Sequence, residues 1–167
     1  MSADQIETLR RSDIPVVAKL HGRCFYDAWG PPMVRQVLEM QGAFGLVARR
    51  AGYGSIVGFA LARVTADECE LLSLGVAPEH RARGIGARLL SAAMARAMAD
   101  KARWFFLEVA EDNEPALRLY RGYGLAPMGR RLDYYENADG SYTNAFTMRC
   151  ALPEAGLVRQ DRSGSRL

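Results

Sequence analysis

Residues 71–90 constrain the fold of this chain more than any other stretch. An apolar run of strand length, residues 71–76, ends just before Pro78, and a short basic loop then leads into an Ala/Leu/Met-rich segment over about residues 86–99. This order predicts a β-strand, a loop and the start of a helix. We therefore expect a ligand to bind at the N-terminus of that helix.

The loop is suited to a phosphate. The first N–H groups of a helix have no intrahelical acceptor and carry the positive end of the helix dipole. Gly84 and Gly86 remove Cβ atoms that would keep an anion at a distance, while Arg81, Arg83 and Arg88 add charge and forked donors. The expected ligand is a phosphorylated cofactor.

The loop matches neither of two common phosphate motifs. It lacks the Gly-Lys-Ser/Thr ending of a P-loop, and it lacks the three-glycine dinucleotide fingerprint with an acidic residue about 20 positions later. Residues 81–86 read Arg-x-x-Gly-x-Gly, which resembles the acetyl-CoA pyrophosphate loop of the GCN5-related N-acetyltransferase (GNAT) superfamily. For this pattern taken alone, the alternative is an ordinary turn before a surface helix.

Length and composition indicate one ordinary globular domain. A chain of 167 residues can bury one core, and 49% hydrophobic and 25% charged residues are usual for such a domain. The three cysteines are widely spaced, so the sequence predicts neither a disulfide framework nor a metal site. We expect one domain over residues 1–152 and a basic, flexible tail over residues 153–167.

Charge and hydropathy restrict the partners. The net charge of +3 is too small to argue for nucleic acid, and an anionic small ligand explains the arginines of the loop. No apolar run approaches the ~20 residues of a membrane span, and residues 1–5 lack the layout of a signal peptide. We therefore expect a cytoplasmic protein that binds neither nucleic acid nor a membrane.

The other segments predict an α/β (α+β) fold. Helices are expected from the Ser12-Asp13 cap and over about residues 33–40, in addition to those after Gly86 and Asn113. We predict a mixed, mostly antiparallel sheet of six to seven strands with about four helices on both faces and one parallel crossover. The expected strands cover about residues 6–9, 43–48, 55–64, 71–76, 104–110, 125–135 and 142–152.

Glu108 interrupts a nearly all-apolar strand, residues 104–110. Such a strand is expected where both faces of a sheet are covered, and an unpaired buried charge is costly. Glu108 is therefore either a functional carboxylate or a strand-end residue that points to solvent. The helix that follows has Asn113 as its predicted N-cap, and the spacing of Asn113 and Tyr120, at i and i+7, puts them on one face.

Four further residues have two interpretations each. Trp29, in a turn-rich break, is either a core residue or part of a substrate wall, and His21 in the first helix is expected to be packed or solvated rather than catalytic. Tyr134 and Tyr135, at a hairpin rim, are either a cross-strand pair or ligand contacts.

Taken together, these patterns resemble the GNAT superfamily over about residues 4–152. The C-terminal half is most similar to the ribosomal-protein-alanine N-acetyltransferases. The matching features are Leu-Glu-Val at 107–109, Asn113, Leu119-Tyr120, residues 130–135 and Asp139-Gly140. The chain departs from the family at Gly75, where alanine is common, at Leu125, where an aromatic is usual, and over residues 26–32.

The resemblance implies an acetyl-CoA site where two parallel strands splay apart. Glu108 would be the general base, directly or through water, and Tyr120 the general acid that protonates the departing thiolate. The implied cofactor-binding residues are Leu74, Gly75, Val76, Arg81, Ala82, Arg83, Gly84, Ile85, Gly86, Ala87, Asn113 and Tyr120. The expected acceptor-binding residues are Trp29, Tyr134 and Tyr135.

The implied activity is transfer of an acetyl group from acetyl-CoA to the N-terminal α-amino group of a protein, most closely the N-terminal alanine of a ribosomal protein. Such an amine, with a pKa of about 8, must lose a proton before it attacks a thioester, which suits Glu108 as base. The alternatives are a small-molecule amine N-acetyltransferase, for a polyamine, aminoglycoside or amino acid, and a non-catalytic acyl-CoA-binding module. The presence of Glu108 and Tyr120 argues against the module.

Overall fold

Seven strands and four α-helices lie within residues 3–154, the part of the chain that the computed structural model describes. Most of the predicted tail, residues 155–167, lies outside the described residues. The elements are β1 Gln5–Thr8, α1 Ile14–Cys24, α2 Pro31–Glu39, β2 Ala43–Arg49, β3 Ile56–Thr65, β4 Glu68–Val76, α3 Ile85–Ala99, β5 Trp104–Ala110, α4 Glu114–Gly122, β6 Ala126–Glu136 and β7 Tyr142–Ala151.

The seven strands form one sheet in the order β1-β2-β3-β4-β5-β7-β6. Only β4 and β5 pair in parallel, with α3 as the crossover between them, and the other pairs are antiparallel. The predicted mixed, mostly antiparallel sheet is therefore confirmed.

Two apolar clusters cover opposite faces of the sheet. On one face, Val17 of α1 and Val34 of α2 pack with Phe59 of β3. On the other face, Leu89 of α3 and Leu117 of α4 belong to the larger cluster, which includes much of β5. This confirms the prediction of helices on both faces.

The two parallel strands separate after a short pairing. They are aligned only from Glu68 opposite Trp104 to Leu71 opposite Leu107, although both strands continue beyond that point. The register of β4 on β3 also shifts there, which makes Leu72 the extra residue of a β-bulge. The splay that the resemblance implied is therefore present, and it leaves one side of residues 72–76 without a strand partner.

Some expected boundaries were wrong. The second helix begins at Pro31 rather than at residue 33. Proline has no backbone N–H, but the N–H groups in the first turn of a helix have no intrahelical acceptor, so proline is well tolerated there. The strand expected over about residues 71–76 starts earlier, at Glu68, directly after the turn at residues 66–67. On β5, Phe105, Leu107 and Val109 are buried, but alternate residues are only half-buried, so the expectation that both faces are fully covered was wrong.

No helix within residues 3–154 is both long and apolar enough to cross a membrane.

Candidate functional site

A cleft of about 500 Å³ opens where β4 and β5 separate. Its walls come from the end of β4, the basic loop, the start of α3, the end of β5 and α4. All the predicted cofactor-binding residues except Arg83 line it, as does Glu108. Further lining residues that the sequence did not single out for a ligand are Cys24, His80, Val109, Ala110, Pro115, Ala116 and Leu119.

The basic loop exposes the start of α3 to this cleft. Ala82 and Gly84 have positive φ angles of 60° and 79°, which turn the chain sharply before the helix. Gly84 is the N-cap residue and provides no side-chain capping bond. The N–H groups of Ile85, Gly86 and Ala87 therefore have no intrahelical acceptor, and all three residues line the cleft. This arrangement suits an anion such as a pyrophosphate.

Two side chains join the loop and α1 to the end of β4. The Arg81 Nε donates to the Val76 carbonyl oxygen at 3.0 Å, and the Cys24 Sγ lies 3.5 Å from the same oxygen. Arg83 does not line the cleft, and its Nη1 lies 3.5 Å from the Nδ1 of His80. A phosphate contact of Arg83 stays a prediction.

Glu108 is held inside the site by three residues of β6. Its side chain is only 14% exposed, and its Oε1 lies 2.9 Å from the Nε of Arg131. The Tyr134 hydroxyl donates to the same carboxylate, and this bond, with burial, raises the pKa of Tyr134 to about 12. The Tyr135 hydroxyl donates to the Glu108 backbone carbonyl at 3.3 Å. Glu108 is therefore not a solvated strand end.

The helix α4 places Asn113 and Tyr120 on the cleft. The Asn113 Oδ1 accepts from the Ala116 N–H at 3.3 Å, which confirms the predicted N-cap. Tyr120 is buried, and its burial raises the pKa of the phenol to about 12. Tyr120 is therefore protonated at neutral pH and can act as a donor toward the cleft.

A second cavity, of about 860 Å³, lies between the α1–α2 connection and the β6–β7 hairpin. It contains all three predicted acceptor-binding residues, Trp29, Tyr134 and Tyr135. Cys24 and Tyr135 line both cavities, so the two spaces meet beside Glu108. Within residues 3–154 no lysine or arginine lines this second cavity. Its lining residues are His21, Cys24, Phe25, Tyr26, Asp27, Trp29, Tyr134, Tyr135, Glu136, Asn137 and Tyr142.

Replacing Gly86 by alanine is expected to weaken acetyl-CoA binding about tenfold, roughly the loss of one hydrogen bond to the cofactor. A Cβ at this position would lie 3.7 to 3.9 Å from Leu119, Val76 and Leu74, which is ordinary contact, so the fold should tolerate it. All three neighbours line the cleft, so the methyl group would occupy space that the cofactor needs. Calorimetric titration with acetyl-CoA measures the effect.

The matched control is Gly122→Ala, near the end of α4, where a Cβ would meet nothing within 4 Å. It should leave the affinity unchanged. Equal affinities for wild type and a folded Gly86→Ala variant would contradict a cofactor site at the start of α3.

Comparison with known proteins gives consistent matches. Residues 14–125 match the sequence profile of the acetyltransferase (GNAT) family. N-alpha-acetyltransferase RimI of Mycobacterium tuberculosis is 36% identical over 152 residues, which are 86% of this chain and 90% of the relative. The ribosomal protein bS18-alanine N-acetyltransferase of Haemophilus ducreyi is 29% identical over 143 residues, 86% and 97% of the two chains. The crystal structure of the Escherichia coli ribosomal-protein-S18-alanine N-acetyltransferase matches with a TM-score of 0.83 at 23% identity, over 93% and 97% of the chains.

Proposed function

We propose, from the premise that this chain belongs to the acetyltransferase (GNAT) family and is an acetyl-CoA-dependent N-acetyltransferase, that its acceptor is the N-terminal α-amino group of a protein. The specific acceptor that we propose is the N-terminal alanine of a ribosomal protein. The names of the relatives support this choice, since one is an N-alpha-acetyltransferase and another acts on ribosomal protein bS18.

The meeting of the two cavities beside Glu108 carries the proposal. Acetyl-CoA would occupy the cleft, with its pyrophosphate on the N–H groups at the start of α3 and its pantetheine arm along the unpaired side of residues 74–76. The acceptor would enter from the second cavity, past Trp29 and Tyr134. The two substrates then approach each other at Cys24 and Tyr135, the residues that both cavities share.

Glu108 would serve as the general base. An α-amino group has a pKa of about 8 and is mostly protonated at neutral pH. Its proton would pass to the Glu108 carboxylate, directly or through one water, and the free amine would attack the thioester carbonyl carbon. Backbone N–H groups of residues 74–76 on the unpaired side of β4 would stabilise the developing oxyanion. The C–S bond then breaks, and no covalent enzyme intermediate is needed.

Tyr120 would act on the departing sulfur. With a pKa of about 12 the phenol retains its proton, as a donor must. An ordinary thiol has a pKa of about 8.5, so complete proton transfer from Tyr120 to the thiolate is uphill. The main contribution that we assign to Tyr120 is therefore a hydrogen bond that stabilises the thiolate as it leaves and guides its protonation.

A small-amine acceptor is the second candidate, because Asp27 and Glu136 add two carboxylates to the acceptor cavity. A CoA-release assay separates the two. Acetyl-CoA is offered with a peptide that begins Ala-Arg-Tyr, with the same peptide already acetylated at its N-terminus, and with a panel of polyamines, aminoglycosides and amino acids. We expect turnover of the free peptide and none of the blocked one. Turnover of small amines alone would move the acceptor to the second candidate, and no turnover of any amine offered would contradict both acceptors.

A further inference from the structure

His21 is a buried imidazole among aromatic rings. It lies in the last turns of α1 and is 2% exposed. Its ring centroid is 4.6 Å from that of Phe25, 4.8 Å from that of Trp29 and 5.6 Å from that of Phe59, and the Trp29 ring is nearly parallel to it. This confirms that His21 is packed. It also links the core residue Phe59 to Trp29, which lines the acceptor cavity.

One hydrogen bond joins the same two residues. The backbone N–H of Trp29 donates to the Nδ1 of His21 at 3.0 Å. The acceptor role of Nδ1 defines the neutral tautomer with its proton on Nε2. The other backbone hydrogen bonds described for residues 25–30 are local, such as Ala28 N–H to Tyr26 and Phe25 N–H to the end of α1. The imidazole therefore connects Trp29, near the end of this loop, to the helix.

We propose that His21 is a positioning residue of the acceptor site, whose imidazole holds residues 25–30 through the Trp29 N–H and the Trp29 ring so that they form one wall of the second cavity. The proposal rests on the proposed function only in assigning that cavity to the acceptor. The acetyl-CoA cleft is built from other elements, and His21 does not line it. His21 should therefore influence the acceptor and leave the cofactor unaffected.

Protonation of His21 would release the wall. An imidazolium has N–H donors on both nitrogens, so Nδ1 could no longer accept from Trp29. Burial lowers the pKa of His21, and the Asp27 carboxylate in the same loop opposes that effect. The other ionisable groups around the second cavity are Cys24, Tyr26, Tyr134, Tyr135, Glu136 and Tyr142. The loop is thus held at neutral pH and freed on acidification.

Two variants separate the hydrogen bond from the ring. His21→Phe keeps an aromatic ring and loses the acceptor, while His21→Asn offers an amide oxygen near the position of Nδ1. We expect His21→Phe to raise the KM of the Ala-Arg-Tyr peptide about tenfold with the KM of acetyl-CoA unchanged, and His21→Asn to restore most of the peptide KM. A peptide KM unchanged in His21→Phe, or both KM values raised equally, would overturn the proposal.

Trp29 fluorescence tests the same contact without turnover. The chain has two tryptophans, so Trp104→Phe leaves Trp29 as the reporter. Release of the loop would expose the Trp29 indole to water, so its emission maximum should move to longer wavelength on acidification, with a midpoint below 6.5, the ordinary pKa of histidine. The transition should be absent when His21→Asn is added. Emission that is independent of pH, or the same transition in both proteins, would refute His21 as the contact. This measurement needs no acceptor. If the free peptide is not turned over but the Trp29 transition is observed, the proposed acceptor is wrong and the contact between His21 and Trp29 still stands.

Discussion

Replacing Glu108 by glutamine is expected to lower turnover about 10²- to 10⁴-fold, the usual contribution of a general base, without weakening acetyl-CoA binding. Glutamine keeps the shape of the side chain and an oxygen for the Tyr134 hydroxyl, but it cannot take the proton of the acceptor. The change also leaves Arg131 without its partner; its side chain is 60% exposed, so hydration compensates for most of the loss. Rates at saturating concentrations of both substrates, with calorimetric binding of acetyl-CoA, measure the two effects separately.

The matched control is Glu111→Gln. Glu111 follows the same strand and pairs with the neighbouring Arg130 at 2.7 Å, but it does not line the cleft. We expect near wild-type turnover from this variant. Wild-type turnover in Glu108→Gln would remove Glu108 as the base. Equal losses in both variants would mean that the ion pairs to β6, rather than proton removal, are what the reaction needs.

The parts of the site that are continuous in the sequence were predictable. The end of β4, the basic loop and the start of α3 are consecutive, so glycine spacing and apolar patterning were sufficient to predict their arrangement. Asn113 was recognisable as an N-cap because capping depends on residues three positions apart. Glu108 was noticeable because a carboxylate interrupts an apolar strand.

The contacts that connect distant elements were not predictable. Arg131 reaches Glu108 from β6, which is separated from β5 by β7 and contains two register shifts. A single sequence carries no signal for such a pair, and Arg131 was noted only within residues 130–135, which resemble the family. The stack of His21 on Trp29 depends likewise on how an irregular loop folds back on its helix. The expectation that β5 is covered on both faces failed because no described helix covers its second face as closely as α3 and α4 cover the first.

The departure at Gly75 has a structural reason in Phe59. A Cβ at position 75 would lie 2.7 Å from Cε1 and 2.9 Å from Cζ of the Phe59 ring, and 3.1 Å from the Sγ of Cys24. Phe59 is fully buried and lies beside the His21 ring, so it has little room to move. The space that an alanine methyl group would need is therefore already filled from β3 and α1.

Gly75→Ala is accordingly expected to destabilise the protein by about 1 to 3 kcal/mol, the usual cost of overpacking a core. Denaturant unfolding measures this as a lower midpoint with an unchanged slope. Gly129→Ala is the control, because it is also a strand glycine but a Cβ there would meet nothing within 4 Å. Its effect should stay within about 0.5 kcal/mol.

The clash with Phe59 can be tested directly with a double-mutant cycle. Phe59→Leu alone should destabilise the protein by leaving a cavity, but in the Gly75→Ala background it should relieve the clash, so the double variant should be more stable than the sum of the single effects predicts. Additive effects would show that the ring and the methyl group do not compete for the same space. Because Gly75 also lines the acetyl-CoA cleft, a displaced β4 should weaken acetyl-CoA binding in Gly75→Ala, and Phe59→Leu should restore part of that affinity together with the stability.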